Sequence, residues 1–219
     1  MSKTKKTSLP PVAGGELVDE KNFPALFSAE EPKMEGLPTE EELAEPLLVE
    51  MTLKYAKDAL DAGVKETKEN WGPQIEKYLK AAGLDVPAPW CAAFVNYCAE
   101  QAAQVLHIPS TLEEVINEAY CPSYAAWAEK KGYLVKPKFN STTKKWEIPS
   151  NVVPGALFLV WSGSRGRYAH IGFVESVDFE NARFISIEGN SNNTGSREGF
   201  MVASNNRMVT KDIAFIVWQ

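Results

Sequence analysis

The spacing of apolar residues changes once along this chain, and this change constrains the fold more than any other feature. Between residues 49 and 131, apolar side chains recur every three or four positions, which predicts helices. After Gly132 the period becomes two, and short turns rich in Gly, Asn and Asp separate the apolar segments, which predicts antiparallel strands. Helices followed by such a sheet are typical of α+β proteins, so we expect an α+β fold.

The two halves divide into short elements at Gly and Pro residues. Asn70 and Pro73 mark the start of the second helix, and Ser110 with Glu113 forms a capping box for the fourth. The predicted helices run over residues 49–63, 73–83, 89–106, 110–119 and 123–131. The predicted strands run over residues 135–139, 144–148, 156–161, 169–177, 183–188, 199–203 and 213–218, and the first two of these form a polar hairpin.

The N-terminal segment differs from the rest in charge and patterning. Residues 1–50 contain five Lys against eleven Asp and Glu, so they carry the whole net charge of −6. Because this segment is rich in Pro and its apolar residues follow neither period, it cannot bury much surface. We expect a flexible acidic tail over residues 1–46 and one folded domain over residues 47–219. The tail is either a solubilising linker or a docking segment anchored by Phe23, Leu26 and Phe27.

Composition excludes several classes of partner. The acidic isoelectric point, near 5.2, disfavours binding to nucleic acid, which requires a basic surface. No apolar run reaches the roughly 18 residues of a membrane span, and no apolar region follows the basic N-terminal residues. We therefore expect no membrane span and no signal peptide. Three cysteines are too few for a disulfide framework and leave at least one free thiol.

One of the three cysteines is predicted to lie where a thiol becomes reactive. Cys91 falls in the first turn of the third helix, where unpaired backbone amides and the helix dipole stabilise a thiolate. Cys98 lies in the middle of the same helix and is interpreted as a core residue. Cys121 precedes Pro122 at a loop-to-helix junction and is also interpreted as a structural thiol.

The chain offers only two histidines as a general base. His107 lies at the end of the third helix, where a structural role is expected. His170 opens an apolar strand, so its ring can project from the sheet toward a cleft. If residues 178–182 connect this strand to the next, His170 faces Asn190, and a slip of two residues places it opposite Glu188. Either of these residues can then hold the imidazole ring.

Three segments in this order resemble the motifs of the CHAP family, the cysteine- and histidine-dependent amidohydrolases and peptidases that cut bacterial peptidoglycan. They are residues 89–95 (PWCAAFV), 168–172 (YAHIG) and 187–190 (IEGN). The segment NWGP at residues 70–73 is similar to one subgroup of that family, so the resemblance extends over residues 66–219.

The resemblance implies a papain-like fold and a catalytic role for four residues. Cys91 is the expected nucleophile, and His170 acts first as general base and then as general acid. Glu188 is expected to orient the imidazole, assisted by Asn190. The chemistry implied requires no metal and no cofactor.

Four further residues are candidates for substrate binding. Trp90, Trp161 and Tyr168 flank the catalytic positions in sequence and are expected either to line an apolar wall of the cleft or to pack in the core. The backbone amide of Cys91 is a natural oxyanion donor, and the candidates for the second one are Asn70 and Trp71.

The function implied is a peptidoglycan hydrolase, either an N-acetylmuramoyl-L-alanine amidase or an endopeptidase. Such a protein would be made in the cytoplasm and released or injected to act on the cell wall, as a phage lysin or an antibacterial effector. A delivery apparatus or an immunity protein would then bind the tail or the cleft. Two alternatives remain open: a non-catalytic wall-binding or phage structural module, and a cysteine protease or deamidase that acts on proteins.

Overall fold

The computed structural model describes residues 40–192 and 199–218. Within them, four α-helices precede all eight strands, so the predicted α+β class is confirmed. The helices are α1 (Glu40–Asp61), α2 (Pro73–Ala81), α3 (Cys91–Leu106) and α4 (Cys121–Lys131), with a 3₁₀ helix over Thr111–Glu114. The strands are β1 (Leu134–Val135), β2 (Lys138–Asn140), β3 (Lys145–Glu147), β4 (Leu157–Ser162), β5 (Arg167–Asp178), β6 (Arg183–Ser191), β7 (Met201–Met208) and β8 (Ile213–Ile216).

Six of the strands form one antiparallel sheet in the order β1-β8-β4-β5-β6-β7. The central strands β4, β5 and β6 are sequential neighbours joined by short turns, as expected for antiparallel pairs. β2 and β3 form a separate two-stranded hairpin. The three strands that carry polar residues of the site, β5, β6 and β7, therefore lie side by side.

Helix α3 lies at the centre of the domain, in contact with helices α1 and α2 and with strands of the sheet. Its Phe94, Val95, Ala99 and Ala102 have no exposed surface. Helices α1 and α2 pack on one side of α3, and strands β5 and β6 pack on the other. Small alanine side chains let these neighbours approach closely, and the resulting apolar burial fixes the position of both ends of α3.

Both faces of the sheet are buried. Because side chains alternate along each strand, neighbouring residues belong to different faces. In β4, Leu157 and Leu159 face the helices, whereas Phe158 joins a second apolar cluster with Phe184 and Phe215. Ile148, which follows the β2–β3 hairpin, also belongs to this second cluster. The sheet is thus held rigidly from both sides.

The first helix begins earlier than its apolar pattern predicts. α1 starts at Glu40 rather than near Val49, and Pro46 lies inside it. Burial begins only at Leu48 and Val49, which explains why the apolar period is visible from that point on. The predicted tail, residues 1–46, overlaps the start of α1, and its anchor at Phe23, Leu26 and Phe27 lies outside the described residues.

The helix predicted over residues 110–119 is wrong. The Ser110–Glu113 capping box is present, but it starts only a single 3₁₀ turn. Val115 then turns to an extended conformation and is buried, whereas Ile116 is 87% exposed and Asn117 has a positive φ of 65°. Two consecutive β-branched residues and a left-handed Asn do not continue a helix.

Strand and helix limits shift by a few residues elsewhere. The polar hairpin is shorter than predicted, because Val135 belongs to β1, which pairs with β8 in the main sheet. β7 starts later and continues further than the predicted strand 199–203. α4 begins at Cys121 rather than Ser123. No helix among the described residues is long and apolar enough to cross a membrane.

Candidate active site

Cys91 is the first residue of α3, and its side chain is almost buried, with 5% of its surface exposed. Trp90 is the N-cap residue, and no side chain caps the first turn. The free backbone amides of that turn and the helix dipole therefore act on the thiol itself. This position favours the thiolate form of Cys91, as the sequence predicts.

His170 lies on β5 and projects toward the start of α3. The β5–β6 register pairs Phe173 with Ile187 and Val174 with Ser186, which is the register that brings His170 toward Asn190 and Glu188. The connecting loop has four residues instead of the predicted five, because Asp178 pairs with Arg183. A β-bulge between Val174 and Ser176 compensates for this difference and restores the register near the site.

Glu188 binds the imidazole ring directly. His170 Nε2 donates to Glu188 Oε2 over 2.8 Å. A carboxylate only accepts hydrogen bonds, so Nε2 carries the proton and Nδ1 is left to face the thiol. The structure thus brings together Cys91, His170 and Glu188, three of the four residues predicted to be catalytic.

Four donor side chains surround the Glu188 carboxylate, which has no exposed surface. Besides His170, Arg207 donates from Nη2 to Oε2 over 2.5 Å and from Nε to Oε1, and Ser191 donates to Oε2 over 2.9 Å. Ser186 donates to Oε1. Burial acts to raise the pKa of Glu188, but the hydrogen bonds and charges of His170 and Arg207 outweigh it and hold this pKa well below its usual range. The carboxylate therefore stays ionised.

The Cys91 thiol and the His170 imidazole favour each other's charged forms. A hydrogen bond from Cys121 contributes most to lowering the pKa of Cys91; burial opposes it, and His170 lowers it further. Burial acts to lower the pKa of His170, but hydrogen bonds to Cys91 and Glu188 raise it to about 9. These effects favour a thiolate–imidazolium pair, the form in which cysteine hydrolases react.

Asn190 lies beside this pair but does not hold the imidazole. Its Oδ1 accepts from the backbone N–H of Trp90 over 3.2 Å, and its Nδ2 donates to the Gly199 carbonyl over 2.7 Å. Its φ of 52° is left-handed, and the β6–β7 register shifts between Glu188 and Ser191. Asn190 therefore ties the start of α3 to β6, which differs from the predicted contact with His170.

Two predicted substrate-binding residues belong to the scaffold. Trp90 has no exposed surface, and its Nε1 donates to Glu66 over 2.8 Å. This corrects the prediction that Trp90 lines the cleft, because a fully buried ring offers no surface to a ligand. The backbone N–H of Asn70 donates to Glu66 over 2.7 Å, so Asn70 reaches the site only through Glu66 and Trp90. In the described part of the chain, no contact joins Asn70 to Cys91.

Of the other two candidates, Trp161 lines a cleft and Tyr168 packs against Trp161. Trp161 is 41% exposed and contacts the ring of Tyr168 edge-on, with 5.3 Å between ring centroids. Trp161 and the loop after it line a cleft of about 420 Å³ that His170, Asn190 and Arg207 close from the other side. Exposed Arg165 also faces this space. The cleft thus combines an aromatic wall with amide and cationic groups.

Sequence reasoning missed Arg207 and the position of Cys121. Arg207 lies in a polar strand without apolar alternation, so no pattern marks it as part of the sheet. Cys121 Sγ lies 3.6 Å from Cys91 Sγ. One available signal was Pro122, since Pro is common in the first helical turn and indicates that α4 begins at Cys121.

Among the residues that the structure describes, no group of three or more His, Cys, Asp or Glu side chains is arranged to hold a metal ion.

A comparison with protein-family models identifies the family of the segment that holds the site. Residues 83–190 match the model of the CHAP domain, a segment that contains Cys91, His170, Glu188 and Asn190. A solved structure, the crystal structure of Ly7917, aligns with 77% of this chain at 12% sequence identity and a TM-score of 0.40. The aligned region covers 61% of that chain. No curated protein matches the sequence.

Proposed function

Because residues 83–190 belong to the CHAP family, we propose that the protein hydrolyses an amide bond in the peptide of bacterial peptidoglycan, with Cys91 as the nucleophile. The observation that carries the proposal is the chain of contacts from the Cys91 thiol through His170 to the ionised Glu188. A buried thiol at a helix start, paired with a protonated imidazole, serves covalent catalysis better than it serves packing.

The catalytic cycle has two halves. The Cys91 thiolate attacks the amide carbonyl, and the His170 imidazolium protonates the leaving amine, which leaves a thioester on Cys91. The neutral imidazole then takes a proton from water, and the resulting hydroxide releases the acid from the thioester. The backbone N–H of Cys91 lies in the first turn of α3 and supplies one oxyanion donor.

Glu188 keeps the imidazole in one orientation through both halves. Its hydrogen bond from Nε2–H leaves Nδ1 facing Cys91, so the same nitrogen gives and takes the proton. Its charge also stabilises the imidazolium formed beside the thiolate. Arg207 and the two serines hold the carboxylate in place and do not contact the thiol.

The cleft supports a peptide substrate. Exposed Trp161 provides an apolar wall, and exposed Arg165 provides a cationic partner for carboxylate groups. Stem peptides of peptidoglycan carry such groups. Since peptidoglycan lies outside the cytoplasmic membrane, the proposal also requires release or injection of the protein.

The test is mass spectrometry of soluble fragments released from purified sacculi. We expect fragments from the wild type and from Cys98→Ala, in which a buried thiol outside the site is removed, and none from Cys91→Ala. A new N-terminal alanine on a free stem peptide would identify an amidase, and cuts within the peptide an endopeptidase. Fragments from Cys91→Ala, or none from the wild type on several wall types, would overturn the proposal.

A further inference from the structure

The two thiols at the candidate site form a pair. Cys91 is the first residue of α3 and Cys121 is the first residue of α4, and their Sγ atoms are 3.6 Å apart. Each side chain has 5% of its surface exposed, and all three cysteines are free. No prediction from sequence joined these residues, which are 30 positions apart.

The two thiols differ in acidity. The Cys121 S–H donates to the Cys91 sulfur, and this contact lowers the pKa of Cys91. The same contact, with burial and the negative charge of Cys91, holds the pKa of Cys121 well above its usual range. One thiolate therefore faces one thiol, and the N-termini of two helices stabilise the negative charge between them. Oxidation of two neighbouring thiols to a disulfide begins with one of them as a thiolate.

We propose that Cys91 and Cys121 are a reversible oxidation site that reacts with a hydroperoxide and closes to an intramolecular disulfide. In the first step the Cys91 thiolate attacks one peroxide oxygen, the O–O bond breaks, and the leaving oxide takes a proton from the His170 imidazolium. Cys91 is then a sulfenic acid. In the second step the Cys121 sulfur attacks Cys91 Sγ and the Cys121 proton passes to the leaving hydroxide, so that the S–S bond forms, the S–O bond breaks and water leaves.

The electrons and atoms balance without a further reagent. The two thiols supply two electrons, which reduce one hydrogen peroxide to two waters. The sulfur atoms must approach by about 1.5 Å to reach a disulfide bond length. Rotation about the Cα–Cβ bonds moves each Sγ further than this. A peroxide is small enough to enter by the cleft of about 420 Å³ beside His170.

The disulfide has two consequences. It removes the sulfur that the proposed hydrolysis requires, so the enzyme would be inactive until a thiol reductant restores it; this consequence alone rests on the proposed function. It also converts the sulfenic acid to a disulfide before peroxide can oxidise it to a sulfinic or sulfonic acid. In most proteins those two products are not reduced again. Cys98 takes no part, because burial raises its pKa well above the usual range and keeps it a thiol.

The test measures covalent state and needs no substrate, so its failure is distinct from failure of the proposed function. The full-length protein is treated with hydrogen peroxide near neutral pH, alkylated with iodoacetamide under denaturing conditions, and analysed by intact and tandem mass spectrometry. We expect a species that has lost two hydrogen atoms, a peptide linking Cys91 to Cys121, and alkylated Cys98. After treatment with dithiothreitol, iodoacetamide should again alkylate all three cysteines.

Variants separate this site from general oxidation. Cys98→Ser should form the same linked peptide as the wild type. Cys121→Ser and Cys121→Ala, checked for folding by circular dichroism, should instead gain one or more oxygen atoms on Cys91. If wild-type Cys91 gains oxygen without a linked peptide, or links only to another molecule, the proposal is wrong.

Discussion

Arg207 donates from two guanidinium nitrogens to the two carboxylate oxygens of Glu188, whose side chain has no exposed surface. Glu188 in turn accepts from the imidazole of His170. A single carboxylate therefore serves as counterion to two cations, one that is always charged and one that titrates. Since Arg207 keeps Glu188 ionised, the charge that stabilises the His170 imidazolium is present across the whole neutral range.

The first prediction concerns the pH dependence of hydrolysis by the wild type. kcat/KM should follow a bell-shaped profile, because both charged forms are needed. Activity falls on the acid side as Cys91 is protonated, and on the alkaline side as His170 loses its proton at a pH near 9. The rate at which sacculi are solubilised at each pH, at fixed ionic strength, measures this profile. A single acid limb with a plateau beyond pH 9 would contradict the predicted role of His170.

Glu188→Gln should move the alkaline limb to lower pH. The amide still accepts from Nε2–H but carries no charge, so the pKa of His170 falls, by about one unit or more. kcat should fall by about 10²- to 10⁴-fold, the contribution of a positioned acid–base group. The matched control is Glu175→Gln, which removes a carboxylate of β5 that pairs with Lys57. An unchanged profile in Glu188→Gln would remove this residue from the site.

Arg207→Met should lower stability by about 3 kcal/mol, the lower end of the range for breaking a buried ion pair, because Arg207 is 27% exposed. The pKa of Glu188 is lowered in the folded state, so its contribution is present above the unfolded pKa, about 4.3, and is lost as pH falls through the folded value. Without Arg207 the folded pKa of Glu188 rises toward the unfolded value, so this contribution is smaller and its loss is complete at a higher pH. Urea unfolding between pH 3 and 7 measures both effects, and equal curves for variant and wild type would contradict them.

Alkylation should distinguish the three thiols. Iodoacetamide at pH 6 should label Cys91 well before Cys98 or Cys121, since only the pKa of Cys91 is lowered. Peptide mass spectrometry over a time course gives the three rates. In urea the rates should become similar, because an unfolded chain retains no helix start or imidazole near Cys91. Equal and slow labelling of the folded protein would rule out an activated nucleophile.

Gly189→Ala should disturb the site through packing. A Cβ at this position would lie 2.7 Å from Phe94 Cβ and 2.7 Å from Trp90 Cζ3, so β6 must move away from α3. We expect a loss of about 1–3 kcal/mol in stability, together with reduced hydrolysis because Glu188 moves with the strand. Gly163→Ala is the control, since a Cβ there meets nothing within 4 Å. Urea unfolding should remain near wild type in the control.

Local patterns were sufficient for the class of fold and for much of the site. The change in the spacing of apolar residues after Gly132 predicted helices followed by strands. The alternation of side chains along β5 and β6 limited the partner of His170 to Glu188 or Asn190. The choice between these two depends on the β-bulge in β5 and on the left-handed conformation of Asn190. Neither feature has a signature in the sequence that distinguishes it from a regular strand.

The features that were not predicted depend on tertiary packing. Cys121 meets Cys91 only because the starts of α3 and α4 converge, and sequence spacing does not report the approach of two helices. Arg207 lies in β7, whose residues 204–207 are polar and show no alternation. The predicted fourth helix failed for the opposite reason, because its capping box is correct and the residues after it do not continue the helix.

The residues of the site lie between positions 91 and 207, so they are synthesised in a fixed order during translation. Cys91 leaves the ribosome first, followed by Cys121, His170 and Glu188, and Arg207 comes last. Until β7 pairs with β6, Glu188 lacks the cation that keeps it ionised when buried, so the charge that stabilises the His170 imidazolium is not secured. The complete site therefore assembles only after the chain has been synthesised as far as Arg207.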